Sequence, residues 1–335
     1  MAWVHVPVLI GSAVAIYLAC EWFVNAVEWL GVELGIGETA VGTVLAAVGT
    51  ALPESVVTLV AVIGHSSASM KEVGVGAAMG GPLALSTIAY GVVGVMLLRQ
   101  RRRHPSAADP FAGVDRARLV RDQSWFVVIF MVTVGLGLVS FAHKPLFGLL
   151  LFAVYGVFLW REIHTEDETA SEQGLEPLKL QRHADEPGRA PIIIQMVGTL
   201  TVIFLASQLF VHQLEWTGKA LGLSAAVVAL LLSPIATELP EVMNAVIWVR
   251  QGKTPLALAN VSGSMMIQAT VPAGLGLLFT PWEFDPALVL AGVTTLAAVG
   301  YLLVLMRSNL LTAGRLAATA VFYLGFAGGL VIVAS

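Results

Sequence analysis

The chain predicts an all-α integral membrane protein of ten transmembrane helices, built as two inverted five-helix repeats. Three observations carry that prediction. Only 12% of its 335 residues are charged and 57% are hydrophobic, against about 25% charged in soluble domains; mean hydropathy is +0.84. The apolar residues fall into runs of about 20, the length at which a helix crosses the hydrocarbon core. Finally, one segment occurs twice. Residues 18–54 (LACEWFVNAVEWLGVELGIGETAVGTVLAAVGTALPE) and 205–241 (LASQLFVHQLEWTGKALGLSAAVVALLLSPIATELPE) align without a gap at 15 identical positions of 37, among them Glu28/Glu215, Trp29/Trp216, Gly35/Gly222 and Thr50/Thr237.

The expected spans cover 6–27, 38–63, 73–98, 124–142 and 145–161 in a first half, 1–161. Those of a second half, 191–335, cover 191–213, 224–249, 256–279, 286–306 and 311–333. No Lys or Arg precedes the first span, so it is expected to stay as a helix rather than be cleaved as a leader. The second span closes on Leu52-Pro53-Glu54 and the seventh on Leu239-Pro240-Glu241. The third carries GVGAAMGG at 74–81, a small-residue surface for helix packing. The run RQRRRH at 99–104 follows it and is expected to anchor on anionic lipid at the cytoplasmic face; no nucleic-acid partner is expected. The polar stretch 162–190 is expected to be a flexible cytoplasmic linker between the halves.

Charge sets the orientation. With the N-terminus outside and ten spans, 15 of the 18 Lys and Arg residues fall in cytoplasmic loops, leaving Lys71, Lys144 and Lys219. The positive-inside rule then places both termini outside the cell (inner) membrane. Five spans per half send the second copy into the bilayer from the opposite face, relating the repeats by an in-plane axis. The one cysteine, Cys20, excludes disulfides and a cysteine metal site and is expected to fill packing space.

A carboxylate deep in a membrane span persists where it pairs, protonates or binds a cation. Glu54 and Glu241 stand at matching depths in the two halves. Pro53 and Pro240 each remove a backbone donor and free a carbonyl one turn earlier, at Gly49 and Ala236. Thr50 and Thr237 lie four residues before each glutamate, on the same helix face. Carboxylates, hydroxyls and carbonyls make an all-oxygen set suited to a hard cation, and two negative charges balance one divalent ion. Other polar residues have blander roles. Glu21, with its counterpart Gln208, is expected in an interhelical hydrogen bond, and Asn25 and His212 are expected as interhelical polar contacts or interface residues. Trp29 and Trp216 are expected to anchor at the membrane interface. The histidines do not pair at metal-ligand spacing.

The motifs GTALPE (49–54), ATELPE (236–241) and ANVSGSMMIQ (259–268) resemble the alpha-repeats of the calcium/cation antiporter superfamily, which includes the sodium/calcium exchangers. The resemblance covers essentially the whole chain. It implies ten spans in two inverted halves, with Glu54 and Glu241 as the midplane cation ligands (the metal-binding pair) and Thr50 and Thr237 beside them. It also implies a backbone carbonyl from Ala47, with Pro234 in the equivalent place, and further ligands at Ser264 and Gln268. The chain departs from the pattern in two ways. The first repeat's second block reads GAAMGGPLAL (76–85), so Gly81, Pro82 and Leu85 stand where polar ligands are usual, and Glu238 stands where serine is usual.

The function these features imply is secondary active antiport of Ca²⁺, or a related divalent cation, against Na⁺ or H⁺, by alternating access around the paired glutamates. No cofactor is implied, only the transported ions. With two oxygen ligands missing from the first repeat, transport is expected to depend on pH at least as strongly as on sodium. A cation channel is the alternative; a membrane-embedded enzyme using the paired glutamates is a weaker one, for want of any accompanying catalytic constellation.

Overall fold

The computed structural model describes residues 2–37, 40–63, 68–103, 109–164, 175–182, 184, 186–220, 231 and 233–334. Among the described residues, eight helical stretches are long and apolar enough to cross a bilayer: His5–Leu34, Gly74–Arg103, Arg116–Leu138, Lys144–His164, Arg189–Phe210, Thr254–Phe279, Pro286–Arg307 and Ala313–Val333. These match eight of the ten expected spans. The other two are the spans that carry the Leu-Pro-Glu motifs. The second is built from a π-helical turn, Val41–Ala46, running into α2 (Ala47–Ile63). The seventh is described from residue 233 onward; its expected start at 224–230 lies outside the described residues.

The first helix, α1 (Ala2–Leu34), packs along α7 (Arg189–Ala220) in the most extensive helix pairing of the molecule. The third span is α3 (Ala68–Ala84), a π turn (Leu85–Ala89) and α4 (Tyr90–Arg103), whose basic last turn suits the negative end of the helix dipole. Next come α5 (Arg116–Leu138), with Asp115 accepting the Arg118 backbone N–H at 3.0 Å as N-cap, and α6 (Lys144–His164). The expected fourth span ran to 142, but α5 stops at Leu138, where Val139 turns extended and the Phe284 amide donates to the Gly137 carbonyl at 3.0 Å.

In the second half, α8 (Ser233–Thr237) and α9 (Leu239–Arg250) share the seventh span. The eighth is α10 (Thr254–Phe279), almost entirely buried along the motif block 256–270. It packs on α2, α3, α6 and the first π turn, and so is the central post of the fold. The ninth is α11 (Pro286–Arg307), N-capped by Asp285. The tenth breaks into α12 (Ala313–Ala317) and α13 (Ala320–Ala334). That break follows from close backbone approach: a Cβ at Gly94 of α4 would lie 2.2 Å from the Ala317 nitrogen.

Charges that enter the bundle are paired. Glu162 of α6 receives Arg118 at 2.5 Å and Arg121 at 2.6 Å, both from α5. Glu28 of α1 accepts the Trp248 indole N–H at 2.7 Å and pairs with Lys253 at 2.6 Å. Cys20 is fully buried, as a packing residue should be.

Part of the expected flexible linker is docked instead. The Glu176 carbonyl accepts from Asn25 Nδ2 at 3.1 Å and from Trp29 Nε1 at 3.0 Å. The Lys179 amide donates to Asn25 Oδ1, and the Leu180 amide to Gln195 Oε1 of α7. Leu178 is fully buried with Ala26, Trp29 and Ile192. Trp29 is therefore buried under this strap rather than exposed as an interface anchor: its neighbours supply both an apolar wall and an acceptor for its N–H. Trp216 stacks on His5, with ring centroids 3.6 Å apart. Asn25 does bridge helices, through Gln195 at 3.0 Å, whereas Glu21 accepts from Tyr17 of its own helix at 2.9 Å and His212 is exposed.

Candidate cation site

The two motif segments fold differently. In the first, α2 continues helically through Pro53 and Glu54, whose side chains lie outside the described residues. In the second, the helix breaks. The α8 segment ends at Thr237, Glu238 forms the turn (φ −85°, ψ 5°), and α9 restarts at Leu239 with Pro240 in its first turn. A proline is well tolerated there because the first helical N–H groups have no intrahelical partner. Glu241 then sits in the first turn of α9, where the helix dipole favours negative charge. The C-terminus of α8 ends beside the same turn, with its last carbonyls near Glu238. Gly222 of the second repeat lies outside the described residues, as does the side chain of Glu215.

At this break Glu238 and Gln268 meet, while the threonines bond within their own helices. Glu238 and Glu241 are each 1% exposed. Gln268 of α10 donates from Nε2 to Glu238 Oε1 at 2.9 Å. Ser264, one turn earlier on the same face, is fully buried, and among the described residues its Oγ has no hydrogen-bond partner. Thr237 Oγ1 donates to the Pro234 carbonyl at 3.3 Å, and Thr50 Oγ1 to the Ala46 carbonyl at 3.1 Å. Each threonine thus spends its proton on its own helix and keeps oxygen lone pairs to accept a cation. Ala47 and Ala51 pack on Ile267, which sets α2 against α10 one residue before Gln268.

The divergent first repeat meets this site through its glycines. A Cβ at Gly80 would lie 2.5 Å from Pro234 Cγ, and one at Gly81 would lie 2.7 Å from Glu238 Oε1 and 2.9 Å from Gln268 Cδ. The Glu238 carboxylate therefore occupies the space a side chain at 81 would need. Leu85 is fully buried and apolar, and adds no ligand. Among the described residues no three His, Cys, Asp or Glu side chains group as a metal site.

Two asparagines escaped the sequence reasoning. Asn260 of α10 donates from Nδ2 to the Glu241 carbonyl at 3.2 Å. Asn244, one turn beyond Glu241 on α9, is fully buried, with neither Nδ2 nor Oδ1 hydrogen-bonded. The signal for Asn244 was its i+3 spacing from Glu241; motif matching stopped at the acid.

The profile of the family described as sodium/calcium exchanger protein matches residues 4–163 and 191–330, nearly the whole of both halves. The chain belongs to this family. Among curated proteins, this exchanger is 25% identical to the inner membrane protein YrbG of Escherichia coli K12 over 282 residues, covering 83% of this chain and 80% of that one. It is 24% identical to the putative antiporter CaxA of Alkalimonas amylolytica over 292 residues, covering 84% and 82%. Its fold matches that of the sodium-calcium exchanger NCX_Mj with a TM-score of 0.75 at 16% identity, covering 98% of this chain and 100% of that one. The chain is thus a multi-pass membrane protein of a transporter family rather than an enzyme, with the two-repeat helical fold.

Proposed function

We propose that this exchanger carries Ca²⁺, or a related divalent cation, against Na⁺ or H⁺ by alternating access, with Glu54 and Glu241 as the charge-balancing ligands. The observation that supports this most directly is the convergence at the broken seventh span. Glu241 and Glu238 are buried there with Gln268 and Ser264 of α10, against α3, and the seam between the repeats runs through the cluster. Buried acids beside amide and hydroxyl oxygens suit a hard cation that sheds its water on entry. Thr50, Thr237 and the Ala47 carbonyl add neutral oxygen.

The moving part in this reading is the α1–α7 pair, which rocks against the remaining helices around a fixed site. The halves are 1–161 and 191–335, joined by 162–190, in an inner membrane with both termini outside, the orientation that puts the arginine-rich loops in the cytoplasm.

Proteoliposome flux tests the assignment. Glu54→Gln and Glu241→Gln should each abolish divalent transport while the protein stays folded, because one carboxylate leaves a divalent ion half neutralised in low dielectric. Normal transport by both variants would move the site elsewhere, and unsaturable current in place of coupled counterflow would make the protein a channel. The counter-ion is tested by imposing a pH gradient with no sodium present: we expect uptake. Strict dependence on a sodium gradient would mean that another helix replaces the oxygens lost at Gly81 and Leu85.

A further inference from the structure

The last turns of α4 and α9 border a half-open cavity of about 280 Å³ lined by Met96, Arg99, Gln100, Arg103, Val249 and Arg250. The four α4 residues stand at i, i+3, i+4 and i+7, so they form one helix face. Arg101 and Arg102 of the same run do not line the cavity. The fold thus divides a basic run that composition alone leaves uniform, and adds a third guanidinium from a distant element.

We propose that this cavity binds a phosphate group presented at the arginine-rich face, through Arg99, Arg103 and Arg250. Three arginines share one small concave space, and among the described residues none of the three is in a salt bridge. Cations drawn into the bundle behave otherwise: Arg118, Arg121 and Lys253 have carboxylate partners, and Lys144 donates to the Pro281 and Trp282 carbonyls. Both helices also end here, so their negative dipole ends hold the guanidinium groups in place without consuming their charge. Guanidinium forks match phosphate oxygens bidentately, and Gln100 can donate or accept between them. In the orientation proposed above, this face meets the inner leaflet, so the phosphate is that of an anionic lipid headgroup or of a soluble cytoplasmic ester.

The cavity also touches the helix proposed to move. Arg250 donates from Nη1 to the Tyr17 hydroxyl of α1 and lies 5.9 Å from the centre of that ring. Tyr17 in turn donates to Glu21 at 2.9 Å. A phosphate in the cavity competes with Tyr17 for the Arg250 guanidinium, and so acts on the contact between α1 and α9.

The test is a thermal-stability titration of the purified, detergent-solubilised protein with phosphatidylglycerol, phosphatidylcholine or inorganic phosphate. Phosphatidylglycerol should raise Tm saturably and phosphatidylcholine should not. Arg99→Gln/Arg103→Gln should shift the half-saturating concentration by more than tenfold, about fivefold per charge removed, while Arg101→Gln/Arg102→Gln should leave it in place. Divalent flux of each variant in phosphatidylcholine vesicles checks that it is folded. A saturable rise with inorganic phosphate, equally sensitive to Arg99→Gln/Arg103→Gln, supports the site and makes its ligand soluble. An equal shift in both double variants would reduce the effect to general polybasic attraction and overturn the proposal, as would the absence of any saturable rise.

Discussion

Glycine 81 and glutamate 238 fit each other, and neither makes sense alone. A carboxylate at 238 needs room, and only a residue without a Cβ leaves it, 2.7 Å being too close for any side-chain carbon. Gly81→Ala should therefore push the Glu238 carboxylate off Gln268. Overpacking of this kind costs up to about 1–3 kcal/mol of stability, so Tm should fall modestly, and a binding isotherm on the folded variant should show weaker affinity for the transported cation. Thr50→Ala and Thr237→Ala remove one neutral oxygen each and should weaken binding less than either glutamate variant removes transport. The motif acids stood out in the sequence because a carboxylate in an apolar span is costly unless it pairs, protonates or meets a cation, and each directly follows a proline. The fit of Gly81 to Glu238 did not, because it joins residues on α3 and the α8–α9 turn that only tertiary packing brings together.

At the level of elements, the two copies of one motif have become unequal. The copy at 49–54 lies in an unbroken helix preceded by a π turn, whereas the copy at 236–241 is split at Glu238. Both carry proline at the same place, so proline alone does not decide the break; its neighbours do. Pro234 and Pro240 bracket the second motif, while the first has only Pro53. The sequence offered that second proline, but its effect depends on where Gly80 of α3 receives it. Spans were readable wherever hydropathy was continuous. The exceptions were those interrupted for packing, such as the tenth, broken where Gly94 meets Ala317. The α5–α6 pair rests on a buried ion cluster, Arg118 and Arg121 around Glu162. Glu162→Gln deprives two guanidinium groups of their shared carboxylate and should cost about 3–5 kcal/mol. A large fall in Tm, restored in part by Arg118→Met/Glu162→Met, would confirm it; an unchanged Tm would mean that water reaches the cluster.

Across the whole molecule, the strongest packing joins the halves rather than holding each together. Helix α1 lies along α7, α10 along α2, α3 and α6, and α12 along α4. The Glu28–Lys253 and Glu238–Gly81 contacts cross the same seam. The strap at 175–182 is fastened to α1 and α7 alike. Cutting the chain within 165–174 should thus leave function intact. Residues 1–164 and 175–335, produced as separate polypeptides in one cell, should copurify and restore cation flux, and either alone should do neither. Failure to copurify would show that the covalent link, not the interface, holds the halves in register. The interlock also bears on how such a chain inserts. A single five-helix unit has an odd number of crossings and a mate that must face the other way. Expressed separately, two such units could meet as the halves meet here only by inserting in opposite directions. In the orientation proposed above, the positive charges of the cytoplasmic loops fix that opposite insertion twice within one polypeptide, once for each direction.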